Sequence, residues 1–205
     1  MEARVAIPQR VETSRLVLRR PTPADAAAIR DGWAADAEAT RYMSWPRHLC
    51  EADTAEFIEF SDREWTDSPG GPYLIEVAAD GRVIGSCGFE FAPDGTAEVG
   101  YILSRDGRGF GYATEALLAQ VDVARALAPL VLTALVHPAN DKSIAVLRRC
   151  GFVRDQQAGK LERYPNLDGA LVESLGYRRV VDADSRPPTS ATARSTMATG
   201  RGGAR

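Results

Sequence analysis

Apolar and polar residues alternate with a period of two in "SRLVLRR", and that alternation predicts a short strand. The period then changes. In "PTPADAAAIRDGWAADAEA", Ile29 and Trp33 fall on one helical face. The start of this segment carries matching signals: Thr22 can cap, Pro23 suits the first helical position and Asp25 favours the positive helix end. "EADTAEFIEFSDREW" repeats the helical spacing through Phe57, Ile58 and Trp65. "PYLIEVA" and "RVIGSCGFEF" read as strands joined across Asp80-Gly81, a hairpin signal. Pro93, Asp94 and Gly95 then turn the chain into "AEVGYILS". These three consecutive strands predict an antiparallel meander.

Helical spacing returns in "YATEALLAQVDVARAL", where Ala113, Leu117, Val121 and Ala124 make an apolar stripe. "LVLTALV" is almost continuously apolar, the pattern of a strand buried on both faces. "NDKSIAVLRRCGF" predicts a short helix capped by Asn140 and ended by Gly151. "FVRDQQ" and "ALVESLGYRRV" predict closing strands. The element order is therefore β-α-α-β-β-β-α-β-α-β-β, an α+β chain. From about residue 183 the sequence holds Pro, Ser, Thr, Gly and Arg with almost no large apolar residue. Such a segment cannot bury enough surface to offset its ordering entropy, so residues 181–205 are expected to be a disordered tail. Residues 1–11 are expected to be an N-terminal extension and residues 12–180 one domain.

Composition narrows the function class. The 205 residues carry a net charge of -3, which disfavours non-specific nucleic-acid binding. The N-terminus has no secretory apolar core, and no apolar run is long enough for a membrane span. Cys50, Cys87 and Cys150 are widely spaced and offer neither a disulfide framework nor a zinc site. A bacterial cytoplasmic protein with reduced thiols and no metal is the expectation.

The candidate chemistry lies in "RDGRGFGYATEAL", where three glycines precede a helix. A glycine-rich turn into a helix aims free backbone N–H groups at one point, and the positive helix end adds to the field there. That makes an anion site, although glycine-rich stretches also serve as plain turns. No Lys follows the glycines, which excludes a P-loop. Gly107, Gly109 and Gly111 follow an antiparallel meander rather than opening a βαβ unit, which disfavours a dinucleotide fingerprint.

The pattern that fits is R-x-x-G-x-A at Arg108, Gly111 and Ala113. With it, the sequence resembles the GNAT superfamily of acyl-CoA-dependent N-acyltransferases over roughly residues 12–180. The pieces "ETSRLVLRRPTPADA", "VIGSCGF", "AEVGYIL", "GRGFGYATEAL" and "HPANDKSIAVLRRCGF" occur in the order of the RimJ/RimL-like branch, the ribosomal-protein N-terminal acetyltransferases. The resemblance implies a mixed α/β fold with a mostly antiparallel six- to seven-stranded sheet and about four helices. It implies acetyl-CoA as co-substrate. Coenzyme A pyrophosphate would lie on the backbone of Arg108, Gly109, Phe110, Gly111, Tyr112, Ala113 and Thr114. The pantetheine arm would pair with the preceding strand at Ile102, Leu103 and Ser104, as an added pseudo-strand. Asn140 would contact that arm. Ser143 would protonate the departing thiolate, because the helix "SIAVLRRCGF" lacks the tyrosine many members use. Glu98 would be the general base, acting through water. A backbone N–H near Leu103 would polarise the thioester oxygen.

The acceptor is a primary amine by the same resemblance, either a protein N-terminus or a small molecule. Tyr42, Trp45 and His48 in "TRYMSWPRHLC" are candidate acceptor contacts, together with Glu90. His137, Cys87 and Cys150 read as structural, and Glu115 as a partner of its own helix N-terminus. Members of the superfamily are often dimers, so a homodimer is compatible with the resemblance. The alternative function is an acyl-CoA-binding module that no longer turns over.

Overall fold

The computed structural model describes residues 6–128 and 130–182. The segment expected to be a disordered tail lies almost entirely outside the described residues. Strand β1 (Arg10–Glu12) pairs with β2 (Leu16–Arg19), and β2 pairs with β3 (Tyr73–Val77). The meander continues through β4 (Val83–Phe91) and β5 (Thr96–Leu103), all antiparallel as the turn signals required. Helix α3 (Tyr112–Ala124) then crosses over to β6 (Leu130–Val136), which lies parallel to β5. The two earlier helices are α1 (Ala26–Ile29) and α2 (Glu51–Asp67), and α4 (Asp141–Arg149) follows β6. Strands β7 (Val153–Asp155), β8 (Leu161–Arg163), β9 (Leu171–Glu173) and β10 (Leu175–Val181) complete the order.

The main sheet has eight strands in the order β1-β2-β3-β4-β5-β6-β10-β7, rather than the six or seven expected. The additional strand is β1, which crosses the boundary at residue 11 between the segment read as an extension and the domain. Ile7 just before it is buried beneath Trp65 and Gly70. "ALVESLGYRRV" is also two strands instead of one. The chain leaves β9 at Ser174, whose hydroxyl meets that of Tyr164 at 2.7 Å, and joins the main sheet as β10. Strands β8 and β9 form a separate hairpin.

The period-two pattern of β4 and β5 sorts the helices to opposite faces. Cys87, Phe89 and Val99 share a core with Ala116, Leu117 and Leu147 of α3 and α4. Leu74 and Ile102 share the other core with Ile29, Trp33 and Ile58. The first helical segment is less regular than its sequence predicts. A 3-10 turn at Pro23–Asp25 leads into α1, and a π-helical turn at Arg30–Ala34 ends it. The Asp25 carboxylate accepts from the Thr22 N–H and hydroxyl at 2.8 and 2.7 Å, and the Asp25 N–H donates back to the Thr22 carbonyl at 2.9 Å, which closes the turn.

Candidate active site

The glycine-rich turn is built by backbone conformations that exclude side chains. Gly109 and Gly111 have φ of 89° and 80°, in the left-handed region. A Cβ on buried Gly107 would meet Ile84 at 3.2 Å. The first bond of α3 runs from the Glu115 N–H to the Gly111 carbonyl at 3.1 Å. The amides ahead of it, through Thr114, therefore have no helical carbonyl to pair with. They form a positive cradle at the N-terminus of a 13-residue helix. Phe110 is exposed at the tip and stacks on Tyr112 at 5.7 Å. Ser104 sits below as a spacer. Its N–H donates to the Ile84 carbonyl and its hydroxyl accepts from the Gly107 N–H.

Two ion pairs hold this cradle. Arg108 donates from Nε to the Leu103 carbonyl at 3.2 Å and pairs with Glu38 at 2.9 Å. Glu38 lies on the loop that follows the first helix, so the motif arginine ties the cradle to the opposite wall. The second pair was not evident from the sequence. Arg15, just before β2, donates to Glu115 and to the Phe110 carbonyl, and lies 4.8 Å over the Tyr112 ring. Glu115 also accepts from the Thr13 hydroxyl at 2.6 Å, the Ser14 hydroxyl at 3.0 Å and the Arg15 N–H at 2.9 Å. Burial opposes its charge, but these donors outweigh it and hold the carboxyl below its ordinary value. The only sequence signal for this clasp is that Thr13, Ser14 and Arg15 stand together just before β2.

Beside the cradle the sheet splits. Strands β5 and β6 pair only from Thr96 to Glu98, although β5 continues to Leu103 and β6 to Val136. The split opens into a cavity of about 850 Å³ that reaches both faces of the sheet. Ile102 and Leu103 line the β5 side of the split, with the Ile102 side chain in the α1–α2 core. Glu98 enters the cavity from the α1–α2 side and Ser143 from α4. Asn140 caps α4, its Oδ1 accepting from the Ser143 N–H at 3.2 Å. The Ser143 hydroxyl is not used in capping. It meets the Tyr101 hydroxyl at 2.7 Å. Tyr101 thus joins the site although sequence reasoning passed over it. The alternation of β5 places it on the face opposite Glu98, and burial raises its phenol well above the usual range.

Glu98 faces Glu90 directly across β4 and β5. Burial raises the Glu98 carboxyl, the Lys160 ammonium at 3.9 Å opposes the shift, and Glu90 and Glu162 add to it. The far wall is aromatic. Tyr42 stacks on His137 at 4.7 Å, and His137 meets the edge of Tyr164 at 4.8 Å. Trp45 packs against His48, whose Nδ1 bonds the Thr54 hydroxyl at 2.9 Å. Burial lowers both imidazoles, so both are neutral at neutral pH. Asn166, between β8 and β9, pins this wall. Its amide donates to the Thr40 and Trp45 carbonyls and accepts from the Arg47 N–H.

Cys87 lines the cavity and Cys150 lies at the C-terminal end of α4, and burial suppresses the thiolate of each. Cys87 is buried, and burial raises its thiol. Cys150 donates to the Thr114 carbonyl at 3.6 Å, its thiol pushed up to about 11. Among the described residues no group of His, Cys, Asp and Glu has metal-binding geometry, and no helix is long and apolar enough to cross a membrane.

Comparison with known proteins agrees with this architecture. Residues 15–153 match the acetyltransferase (GNAT) domain. The chain is 30% identical over 164 residues to an uncharacterized N-acetyltransferase, p20, of Bacillus licheniformis, covering 78% of this chain and 90% of that protein. It is similar to the crystal structure of an acetyltransferase from Agrobacterium tumefaciens, with a TM-score of 0.68, 31% identity, and 85% and 95% of the two chains covered. The ribosomal L7/L12 alpha-N-protein acetyltransferase RimL, solved with coenzyme A, shares the fold with a TM-score of 0.72 at 20% identity, over 87% of this chain and 99% of that one. With the family's domain matched across the cradle, the split sheet and α4, this chain belongs to the GNAT acetyltransferase family.

Proposed function

We propose that the protein is an acetyl-CoA-dependent N-acetyltransferase that moves the acetyl group to a primary amine by direct attack in a ternary complex. The observation that carries this reading is one cavity, open through the split between β5 and β6, that holds Glu98 and Ser143, with the unpaired end of β5 leading directly into the glycine-rich turn. The cradle suits a pyrophosphate: the Tyr112, Ala113 and Thr114 amides lack helical partners, and Gly109 and Gly111 hold the left-handed backbone that glycine adopts freely. Arg108 through Thr114 would hold coenzyme A there, with Ile102, Leu103 and Ser104 beside the pantetheine arm and Asn140 across from it. Acetyl-CoA supplies the activated acetyl thioester when bound.

The chain's own residues perform the remaining steps. Glu98, its affinity for a proton raised by burial and by Glu90, takes a proton from the ammonium of the acceptor through water. A backbone N–H near Leu103 stabilises the oxyanion. Ser143 gives its proton to the departing thiolate. No covalent intermediate on Cys87 or Cys150 is required. Tyr42, Trp45 and Glu90 contact the acceptor, which is a protein N-terminus or a small-molecule amine.

Calorimetry with acetyl-CoA, followed by thiol release over peptides, aminoglycosides and amino acids, tests the reading. Micromolar binding and amine-dependent thiol release are expected. Gly111→Glu should abolish binding by placing charge and bulk in the cradle. Absence of binding in the unmodified protein would overturn the reading, and binding without turnover on any amine would leave a coenzyme A-binding module.

A further inference from the structure

We propose that Tyr101 is a positioning residue for proton delivery, orienting the Ser143 hydroxyl toward the leaving thiolate. The inference rests on the reading of Ser143 as the acid. A serine hydroxyl rotates among staggered positions, and only one of them aims its proton at a given point. The tyrosine phenol lies 2.7 Å from Ser143 Oγ and 3.2 Å from the Ser143 carbonyl. Either hydroxyl can donate across the 2.7 Å contact. In the arrangement the proposal requires, the phenol donates to Oγ rather than to the Ser143 carbonyl, occupies one lone pair and leaves the serine proton free to face the split in the sheet.

A phenylalanine would satisfy the apolar surroundings of this position. Tyr101 packs against the α3–α4 core, opposite buried Cys87 on β4. A buried phenol costs free energy unless its O–H finds a partner. Its partners here are the Ser143 carbonyl and, at the shorter distance, the hydroxyl to which the reaction assigns a proton. Burial keeps the phenol protonated across the working pH range, so it remains a donor.

The proton balance closes. The Ser143 O–H bond breaks and an S–H bond forms on the leaving thiol. The electron pair left on Oγ is held by the Tyr101 O–H in a short charge-assisted bond. The acceptor nitrogen loses two protons. Glu98 takes one through water from the ammonium before attack and passes it to solvent. It then takes the second from the nitrogen of the tetrahedral intermediate. Water returns one proton to Ser143, and the other leaves to solvent.

Steady-state kinetics of Tyr101→Phe, Ser143→Ala and the double variant test this role, with coenzyme A affinity measured alongside. Tyr101→Phe should lower kcat about tenfold, the scale of one lost hydrogen bond to a charged group. Its KM for acetyl-CoA should stay unchanged. The double variant should match Ser143→Ala, because the phenol acts only through that hydroxyl. An unimpaired Tyr101→Phe beside an impaired Ser143→Ala would overturn the inference and leave the mechanism standing. Additive losses, or a weakened coenzyme A affinity in Tyr101→Phe, would also overturn it. An unimpaired Ser143→Ala would remove the reading on which it rests.

Discussion

Glu90 and Glu98 are Cα partners across β4 and β5, so two carboxylates face each other at the mouth of the cavity. Like charges in this position destabilise a sheet. Here burial raises the proton affinity of Glu98, the group assigned as base, and Glu90 adds to it. The acid limb of kcat/KM, corrected for titration of the acceptor, is therefore expected above the ordinary carboxyl value of 4.5. Glu90→Gln should move that limb to lower pH, because it removes a repelling charge. Lys160→Met should move it to higher pH, because it removes an attracting one. A limb that ignores both substitutions would exclude Glu98 as the base.

The same shift has a stability consequence of opposite sign. A carboxyl whose folded pKa is raised contributes fully below its unfolded pKa, and that contribution is lost as pH rises through the folded value. Glu98→Gln should consequently raise the melting temperature at neutral pH while cutting turnover by roughly a hundredfold or more. Thermal melts at neutral and acid pH would reveal whether the gain is confined to the higher pH.

Gly109 isolates the cost of the cradle's backbone shape. No atom lies within 4 Å of the Cβ that alanine would add, so Gly109→Ala adds conformational strain without a clash. The left-handed conformation costs an L-residue roughly 1–2 kcal/mol. A fall in melting temperature of a few degrees is expected, with weaker coenzyme A binding as the turn relaxes. An unchanged melt would mean that the left-handed turn is not required.

Glu115 joins the cradle to the N-terminal strand through Thr13, Ser14 and Arg15. Its folded pKa is lowered, so its contribution is present above the unfolded pKa and is lost as pH falls through the folded one. Glu115→Ala should destabilise the protein at neutral pH by on the order of 2 kcal/mol, the scale of hydrogen bonds to a charged group. The difference from the unmodified protein should shrink in acid. Denaturant melts at both pH values would measure it, and a pH-independent difference would contradict the assignment.

Asn166 tests the acceptor wall separately from the donor site. It makes hydrogen bonds to Thr40, Trp45 and Arg47 and lies away from the cradle. Asn166→Ala should raise the acceptor KM about tenfold, equivalent to one or two lost hydrogen bonds. Coenzyme A affinity should be unaffected. Equal loss at both sites would show that the hairpin supports the whole molecule rather than the acceptor wall.

Local patterning was enough for the meander, α3 and α4, because each carries its own period and turn chemistry. Gly81, Gly95 and Gly151 all adopt the positive φ that their turns require. The break at Ser174 was not legible, since "ALVESLGYRRV" has strand character throughout. What divides it is contact with distant residues: Gly159 lies against the Ser174 carbonyl, and Gly176 lies against Ala158. Trp45 and Tyr42 could be named as wall candidates from their loop, but their stacking partners depend on how that loop folds back over α2 and β6.

By itself the sequence determined the meander, α2, α3, β6, α4 and the glycine-rich turn, because these follow from short-range periods, caps and turn residues, and its motifs carried the family resemblance. The tertiary structure alone decided which side chains meet. Arg15 reaches Glu115 across 100 residues, and Tyr101 reaches Ser143 across 42. The period of β5 places Glu98 and Tyr101 on opposite faces, and only the split from β6 opens both to one cavity. Contacts of that kind depend on packing between elements, for which a local hydrophobic pattern carries no coordinate.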